Sequence, residues 1–245
     1  SEGRGQRPLN GRHDEDRMTD WLEFLAALAL FAASHRLPAM LGAKGWLQAH
    51  LGVRGYMLAF SALSLALFYW LILAAGRAPF VPLWDQEPWH RWAVNLVMPL
   101  ALALGVFGIG AVNPFAFEGR TTGFDPDRPG IAGVTRQPLL WAMAIWSGVH
   151  LLPNGDLAHL LLFAPICAFS FLGMRLVERR RRAAMGQGEW QRLTARTSLL
   201  PLTALVGGRW HPQDRPSLIR LALWLLVWGA VWHLHSPVIG VWPGP

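Results

Sequence analysis

The chain contains five long stretches without a charged residue, and these constrain its fold more than any other feature. They cover residues 56–76, 92–112, 138–155, 157–174 and 221–245. A helix needs roughly 20 mostly apolar residues to cross the hydrocarbon core of a membrane. A sixth, weaker stretch near residues 20–40 includes Glu23, His35 and Arg36. Because none of the stretches alternates apolar and polar residues, we predict helices and an all-α, polytopic membrane bundle of about six transmembrane helices.

The arginine and lysine residues predict the orientation of this bundle. Cytoplasmic loops of membrane proteins collect Arg and Lys. The segments 36–55, 113–137 and 175–220 hold three, three and ten of them, which is sixteen of the 22 basic residues. The alternate segments between predicted helices hold only Arg77 and Arg91. We therefore expect a protein of the bacterial inner membrane, with both termini periplasmic and the Arg-rich segment 175–220 cytoplasmic.

The first 17 residues differ from the rest of the chain. They are polar, mixed in charge and without the apolar core of a signal peptide. The apolar run begins directly after Met18. We expect residues 1–17 to be disordered or foreign to the native chain, and residues 18–245 to form the membrane domain.

Small and aromatic residues indicate how two of the predicted helices pack. Gly105, Gly108 and Gly110 allow another helix to approach the third one closely. Trp224, Trp228 and Trp232 recur every four residues and share one face of the last helix. We expect that face to pack against protein or to contact lipid.

Several function classes are excluded by the residues present. One cysteine, Cys167, excludes an intramolecular disulfide and a CxxC site. The basic run 178–182 lies beside a predicted helix, so we expect it to contact the lipid bilayer and not nucleic acid. The motifs of zinc proteases, serine hydrolases and nucleotide-binding loops do not occur in a usable context.

Histidines inside the predicted helices are the best candidates for chemistry, because ionisable groups within a bilayer are costly. His35 lies late in the first predicted helix, His150 late in the fourth and His235 in the last. A haem iron can bind one histidine from each of two helices. A structural, hydrogen-bonded role is the alternative for each histidine.

Motifs along nearly the whole chain resemble the NnrU family of integral membrane proteins. They are SHRLPA at 34–39, GVRGYMLAFSALSL at 52–65, APFVPLW at 78–84, NPFAF at 113–117, TRQPLLW at 135–141, HLLPNGDLAHLLLF at 150–163, TSLLP at 197–201 and HSPVIGVWP near the end. The resemblance implies an association with nitrogen-oxide respiration (denitrification). It also implies a relation to 15-cis-zeta-carotene isomerase, a membrane protein that holds haem b between two histidines.

Carried over residue by residue, the resemblance implies haem b bound by His35 and His150. His150 follows Gln137 by thirteen residues, as the second ligand of the isomerase follows the histidine of its Arg-His-Pro motif. Gln137 replaces that histidine and Ser147 replaces a cysteine of the isomerase, so the resemblance does not extend to a cysteine-dependent redox switch. The implied chemistry is haem-dependent redox or isomerase-like conversion of an apolar small molecule. His235 is the alternative second ligand, because it and His150 lie near the predicted outer face.

The region around Arg136 is also similar to the isoprenylcysteine methyltransferase and sterol reductase group. The similarity rests on Arg136-x-Pro before a helix, Glu178 after the next helix, Gly188-Glu189-Trp190, Thr197-Ser198 and Pro201. It implies a cytoplasmic pocket for S-adenosylmethionine or NADPH, lined by Arg136 and Glu178 with Arg196 nearby and Gln137 in place of the histidine of that group. A non-enzymatic membrane accessory protein is the third alternative.

Overall fold

Most of the described part of the chain is helical. A computed structural model describes the backbone of residues 10–40, 42–117 and 119–245, and the side chains of 17–35, 42–117 and 119–245. These residues form nine helices, with two isolated bridges in place of any strand. The helices are α1 (Asn10–Met40), α2 (Ala43–Arg77), α3 (Pro88–Gly108), α4 (Ile131–Val134), α5 (Pro138–His150), α6 (Leu157–Met185), α7 (Gln187–Thr194), α8 (Thr203–Val206) and α9 (Leu218–Ile239).

Four helices among the described residues are long and apolar enough to cross a membrane, namely α2, α3, α6 and α9. The prediction of an all-α membrane protein is therefore confirmed, but the count of about six spans is not. The stretch 138–155 forms α5, whose 13 residues extend only about 20 Å against a hydrocarbon core of about 30 Å. The weaker stretch near 20–40 lies within α1, which is less apolar than the four spans.

The segment before Met18 is described only in part. Residues 1–9 lie outside the described part of the chain, and α1 takes in residues 10–17. The expectation that residues 1–17 are disordered or foreign to the native chain stays a prediction.

The chain divides into two compact units, and the first comprises the described residues up to Trp84 together with Gly155–Leu162. In this unit α1 packs against α2, and Phe24 is fully buried. The carboxylate of Glu23 accepts hydrogen bonds from the indole of Trp70 at 2.8 Å and from the guanidinium of Arg77 at 2.5 Å. This pairing explains how α1 accommodates an acidic residue within an apolar sequence.

Glycine permits two local features of the first unit. α2 is interrupted at Gly52, whose φ of 70° glycine adopts without the steric cost that a side chain would impose. The uninterrupted helix that follows contains the predicted span 56–76. Gly155 lies against the backbone of Trp84, and its carbonyl accepts from the amides of Leu83 and Trp84 at 2.8 and 3.2 Å. A side chain on Gly155 would overlap the Trp84 carbonyl, so this contact requires glycine.

The second unit comprises Asp85–Asn154 and Phe163–Pro245. Its helix α3 packs against both α5 and α9. A Cβ atom on Gly108 would lie 2.7 Å from Cγ of Pro138, so the absence of a side chain brings the end of α3 onto the start of α5. Beside this contact, Phe115, Ala132 and Trp190 form a buried apolar cluster. These contacts position the polar residues on either side of the α5 start.

Candidate functional site

Arg136 lies at the centre of a polar network just before α5. Its Nε and Nη2 atoms donate to the two carboxylate oxygens of Glu178 on α6 at 2.5 and 3.1 Å, and Nη1 donates to Oγ1 of Thr197 at 3.0 Å. The guanidinium carbon lies 5.6 Å from the ring centroid of Trp190, within cation–π range. The side chains of the ion pair are only 13% and 17% exposed. The network therefore holds a partly desolvated charge pair with two further partners.

Gln137 is an anchor for the chain that precedes it. The side chain is fully buried, with Nε2 donating to the carbonyl of Phe115 at 2.8 Å and Oε1 accepting from the amide of Phe117 at 3.2 Å. Asn113 adds a bond from Nδ2 to the carbonyl of Arg136 at 3.0 Å. The amide of Gln137 satisfies one carbonyl and one N–H group at once, which is the task a neutral imidazole with one donor and one acceptor also fulfils. This dual role gives Gln137 a structural task at the position where the family resemblance leads us to expect histidine.

Arg196 lies outside this network. Its nearest carboxylate partner is Asp127 at 3.5 Å, and both side chains are about half or more exposed. On α7, Glu189 accepts two hydrogen bonds from Arg192, which lower the pKa of the Glu189 carboxyl. Of the four residues expected around a cytoplasmic cofactor, Arg136 and Glu178 bond to each other, the Gln137 side chain bonds to the backbone instead, and Arg196 forms a separate surface pair.

The network around Arg136 connects three segments of the chain. The guanidinium donates to α6 through Glu178 and to the segment after α7 through Thr197, and the backbone amide of Arg136 donates to the carbonyl of Ser198 at 2.6 Å. Three of the five donors of the guanidinium are thus already directed at protein atoms. A cofactor phosphate or carboxylate that binds there would compete with Glu178 for the charge of Arg136.

His35 belongs to the first unit and lies on α1. Its Nδ1 atom is 2.8 Å from the carbonyl oxygen of Phe31, one turn earlier. A carbonyl can only accept, so Nδ1 carries the proton and Nε2 presents a lone pair. The ring centroid lies 4.7 Å from that of Phe31 and 5.5 Å from that of Phe60 on α2. His35 is therefore an imidazole with a free acceptor nitrogen between two aromatic rings.

His150 belongs to the second unit and ends α5. Its Nδ1 atom is 2.7 Å from the carbonyl oxygen of Trp146, which leaves Nε2 unprotonated by the same reasoning. The partly buried ring lies 5.5 Å from the ring of Trp146 and 5.4 Å from that of Phe163. Ser147 is fully buried and donates to the carbonyl of Met143 at 2.6 Å. Its hydroxyl is thus a helix-bound donor beside the candidate ligand.

His235 lies in the same unit as His150. Its Nδ1 atom is 2.7 Å from the carbonyl oxygen of Val241, so its Nε2 atom is also a free acceptor. Among the residues that the structure describes, no group of three or more His, Cys, Asp or Glu side chains converges as a metal site. A haem iron held by two histidines needs no such group.

Arg220 is a functional candidate that sequence reasoning missed. It begins α9, and its guanidinium donates to the carbonyl oxygens of Val106, Phe107 and Ile109 at 2.6, 2.8 and 3.0 Å. These carbonyls belong to the end of α3, where helix carbonyls lack partners of their own. In the sequence, Arg220 is recognisable only as the last charge before the apolar stretch 221–245. The sequence does not indicate which carbonyl groups Arg220 bonds to, because every residue carries a backbone carbonyl.

Comparison with models of protein families matches residues 23–243 to the family described as NnrU protein. The match covers most of the chain, including the histidine candidates and the network around Arg136. No curated protein and no solved structure matches the chain.

Proposed function

Since the chain belongs to the NnrU family of membrane proteins, we propose that it is an inner-membrane protein that binds haem b. His150 is one axial ligand in this proposal. His35 is the expected second ligand and His235 the alternative. The function is haem-dependent redox or isomerase-like chemistry on an apolar small molecule, or a role in nitrogen-oxide respiration.

The observation that carries the proposal is the arrangement of His150. A histidine that ligates a metal generally donates its other ring N–H to a carbonyl or carboxylate, which fixes the tautomer and orients the ring. The Nδ1 atom of His150 has this partner in the carbonyl of Trp146 at 2.7 Å. The rings of Trp146 and Phe163 supply the apolar, aromatic surroundings that suit the face of a porphyrin. His150 therefore fits the donor requirements of an axial ligand.

When bound, haem b supplies one-electron chemistry whose potential depends on its axial ligands and on burial. The residues of this chain would hold and tune it. The carbonyl of Trp146 keeps the Nε2 lone pair of His150 directed away from its own helix backbone. The aromatic side chains beside the imidazole exclude water, which favours the neutral ring required for ligation.

A visible absorption spectrum of the purified protein, oxidised and then reduced with dithionite, tests the proposal. We expect a haem band that shifts on reduction in the wild type and is lost or strongly weakened in His150→Ala. A matched control is His50→Ala, because His50 also has its Nδ1 atom 2.8 Å from the carbonyl of a tryptophan one turn earlier, Trp46, but lies exposed. A flat wild-type spectrum after expression with ample haem contradicts the proposal.

The second ligand is identified by the same measurement on two further variants. We expect His35→Ala to convert a six-coordinate low-spin spectrum into a five-coordinate one, and His235→Ala to leave the spectrum unchanged. The reverse result assigns His235 as the ligand. A haem band that survives both His35→Ala and His150→Ala contradicts the assignment from the family resemblance.

The alternative of a cytoplasmic site for S-adenosylmethionine or NADPH receives less support, because the donors of Arg136 are already directed at Glu178 and Thr197. Equilibrium binding of either cofactor to the purified protein, lost in Arg136→Gln, would favour this alternative over haem.

A further inference from the structure

Two cavities in the second unit share a single residue, Arg220. One is an apolar cleft of about 560 Å³ between α3, α5 and α9. The other, the loop cavity, has about 570 Å³, lies under the loops that join α3 to α4 and α8 to α9, and is lined by both apolar and charged residues. Arg220 lines both of them. The two cavities therefore meet at one charged side chain at the end of a membrane-spanning helix.

The cleft is apolar over its whole length apart from Arg220. It is lined chiefly by Met98, Leu102, Gly105, Met143, Trp146 and Leu223. Gly105 widens it, because a Cβ atom placed there would meet no neighbour within 4 Å. The flexible side chains of Met98 and Met143 adapt to irregular apolar shapes. Such a cleft suits a hydrocarbon chain.

The charged residues that line the loop cavity have both signs, with an excess of arginine. Besides Arg220, its lining includes Arg128, Arg215, Asp125 and Asp214. Arg128 is neutralised by Asp214 at 3.4 Å. The charged residues of the lining that remain are two arginines, Arg215 and Arg220, and one carboxylate, Asp125, so positive charge is in excess. The cavity is therefore suited to an anionic group.

Arg220 supplies the charge at the junction. Its three hydrogen bonds go to carbonyl oxygens of neutral peptide groups at the end of α3. Within the described part of the chain, its guanidinium forms no ion pair with a carboxylate within 4.0 Å. The positive charge is held in place by α3 but is not neutralised, and it remains available to an anion at the mouth of the cleft.

We propose that this pair of cavities binds a single-chain anionic amphiphile, with its apolar chain in the cleft and its phosphate or carboxylate beside Arg220 and Arg215. Neither cavity is lined by His35, His150 or His235, although Trp146 lines the cleft and also contacts His150. The inference goes beyond the proposed haem function and does not depend on it. The positive charges of Arg220 and Arg215 favour an anionic head group, and the apolar lining of the cleft favours a hydrocarbon chain.

Farnesyl phosphate is a suitable probe, with farnesol and inorganic phosphate as the two halves of the molecule. Thermal unfolding of the full-length protein in a neutral detergent reports binding, because a ligand that binds the folded state raises its Tm. We expect farnesyl phosphate to raise Tm in a concentration-dependent way. Farnesol and inorganic phosphate should each raise it much less at the same concentrations.

Gly105→Leu is the critical variant, because Gly105 lines the cleft and a Cβ atom at this position meets no neighbour within 4 Å. We expect it to weaken farnesyl phosphate binding by about tenfold or more, since the leucine takes the place of the chain. Gly229→Leu on α9 is the matched control. Gly229 also has open space around it and lies outside the lining of the cleft, so both variants gain the same helix propensity.

Arg215→Gln tests the head group without touching the bonds that Arg220 makes to α3. We expect this variant to fold normally and to lose most of its preference for farnesyl phosphate over farnesol. Equal binding by Gly105→Leu and wild type would overturn the proposal, and so would a Tm rise with inorganic phosphate as large as that with farnesyl phosphate. A preference for farnesyl phosphate that survives in Arg215→Gln and in Arg220→Gln would overturn it as well.

Discussion

Arg136 donates hydrogen bonds to both carboxylate oxygens of Glu178, with N–O distances of 2.5 and 3.1 Å, and so connects the start of α5 to α6. The geometry is bidentate, which is the strongest form of an arginine–carboxylate pair. Both side chains are largely shielded from water. A pair of this kind is costly to break from one side, because the remaining charge is left without its partner.

Glu178→Ala should therefore destabilise the protein strongly, by about 3 to 5 kcal/mol. The double variant Arg136→Met with Glu178→Leu should recover much of that loss, because no unpaired charge remains. Thermal or denaturant unfolding in detergent measures the difference. Glu189→Ala is the control, since its partner Arg192 lies on the exposed surface of α7 and the loss should be small. Equal losses of stability in the single and the double variant would contradict the stabilising role of the pair between Arg136 and Glu178.

Gly133→Ala should destabilise the second unit, because a Cβ atom at this position would overlap the indole ring of Trp210. The two residues are both buried, so the ring cannot move aside without opening the packing between them. Gly188→Ala is the matched control. It lies within α7 with no neighbour within 4 Å, and alanine there should stabilise the helix slightly, by about 0.5 to 1 kcal/mol. Opposite signs in Tm for the two variants are the expected result.

Asn95, in the first half of α3, helps to hold the C-terminal segment in place. Asn95 accepts a hydrogen bond from the indole of Trp232 at 3.1 Å and donates to the carbonyl of Pro243 at 2.8 Å. Trp232→Phe removes the indole donor and reduces the ring that packs against Trp242 at 5.1 Å, so Asn95 and the C-terminal segment each lose a contact. We expect faster trimming of the C-terminus by carboxypeptidase in this variant. Trp228→Phe, a change one turn away on α9, should leave the trimming rate as in wild type.

The sequence predicts the membrane character of the chain well because hydropathy is a property of each segment by itself. The charge-free stretches 56–76, 92–112 and 157–174 all fall within or largely overlap helices that qualify as membrane spans. The stretch 138–155 does not become such a span, because α5 ends at His150 and the chain turns. The sequence Pro-Asn-Gly directly before Asp156 is a turn signal that a count of charges overlooks.

Packing details are predictable only where a short motif implies them. Gly108 was expected to allow a close approach and does so against Pro138, whereas Gly105 borders open space. The tryptophan face of α9 was expected to meet protein or lipid, and Trp224 donates to the carbonyl of Pro99 on α3 at 2.8 Å. The partnership of Arg136 with Thr197 joins residues distant in the sequence, and no local pattern indicates it.

The antiparallel packing of α3 and α9 leads to a test of the membrane orientation. Arg220, at the start of α9, bonds to the end of α3, and Trp232, near the end of α9, bonds to Asn95, near the start of α3. Asp85 and Gln213, which precede α3 and α9, therefore lie beyond opposite ends of this helix pair. The bond from Asn95 to Pro243 places the C-terminal segment on the side of Asp85.

The excess of arginine between residues 175 and 220 predicts that the side of Gln213 is cytoplasmic. In a Cys167→Ser background, single cysteines at Asp85 and Gln213 can be labelled with a membrane-impermeant maleimide in spheroplasts. We expect Asp85→Cys to react before lysis and Gln213→Cys only after it, because a cluster of ten basic residues is retained on the cytoplasmic side during insertion. Both positions are exposed, so a difference in labelling reports membrane sidedness and not burial. Labelling of Gln213→Cys alone in intact spheroplasts would indicate the opposite orientation. Labelling of both variants would contradict the membrane-spanning assignment of α3 and α9.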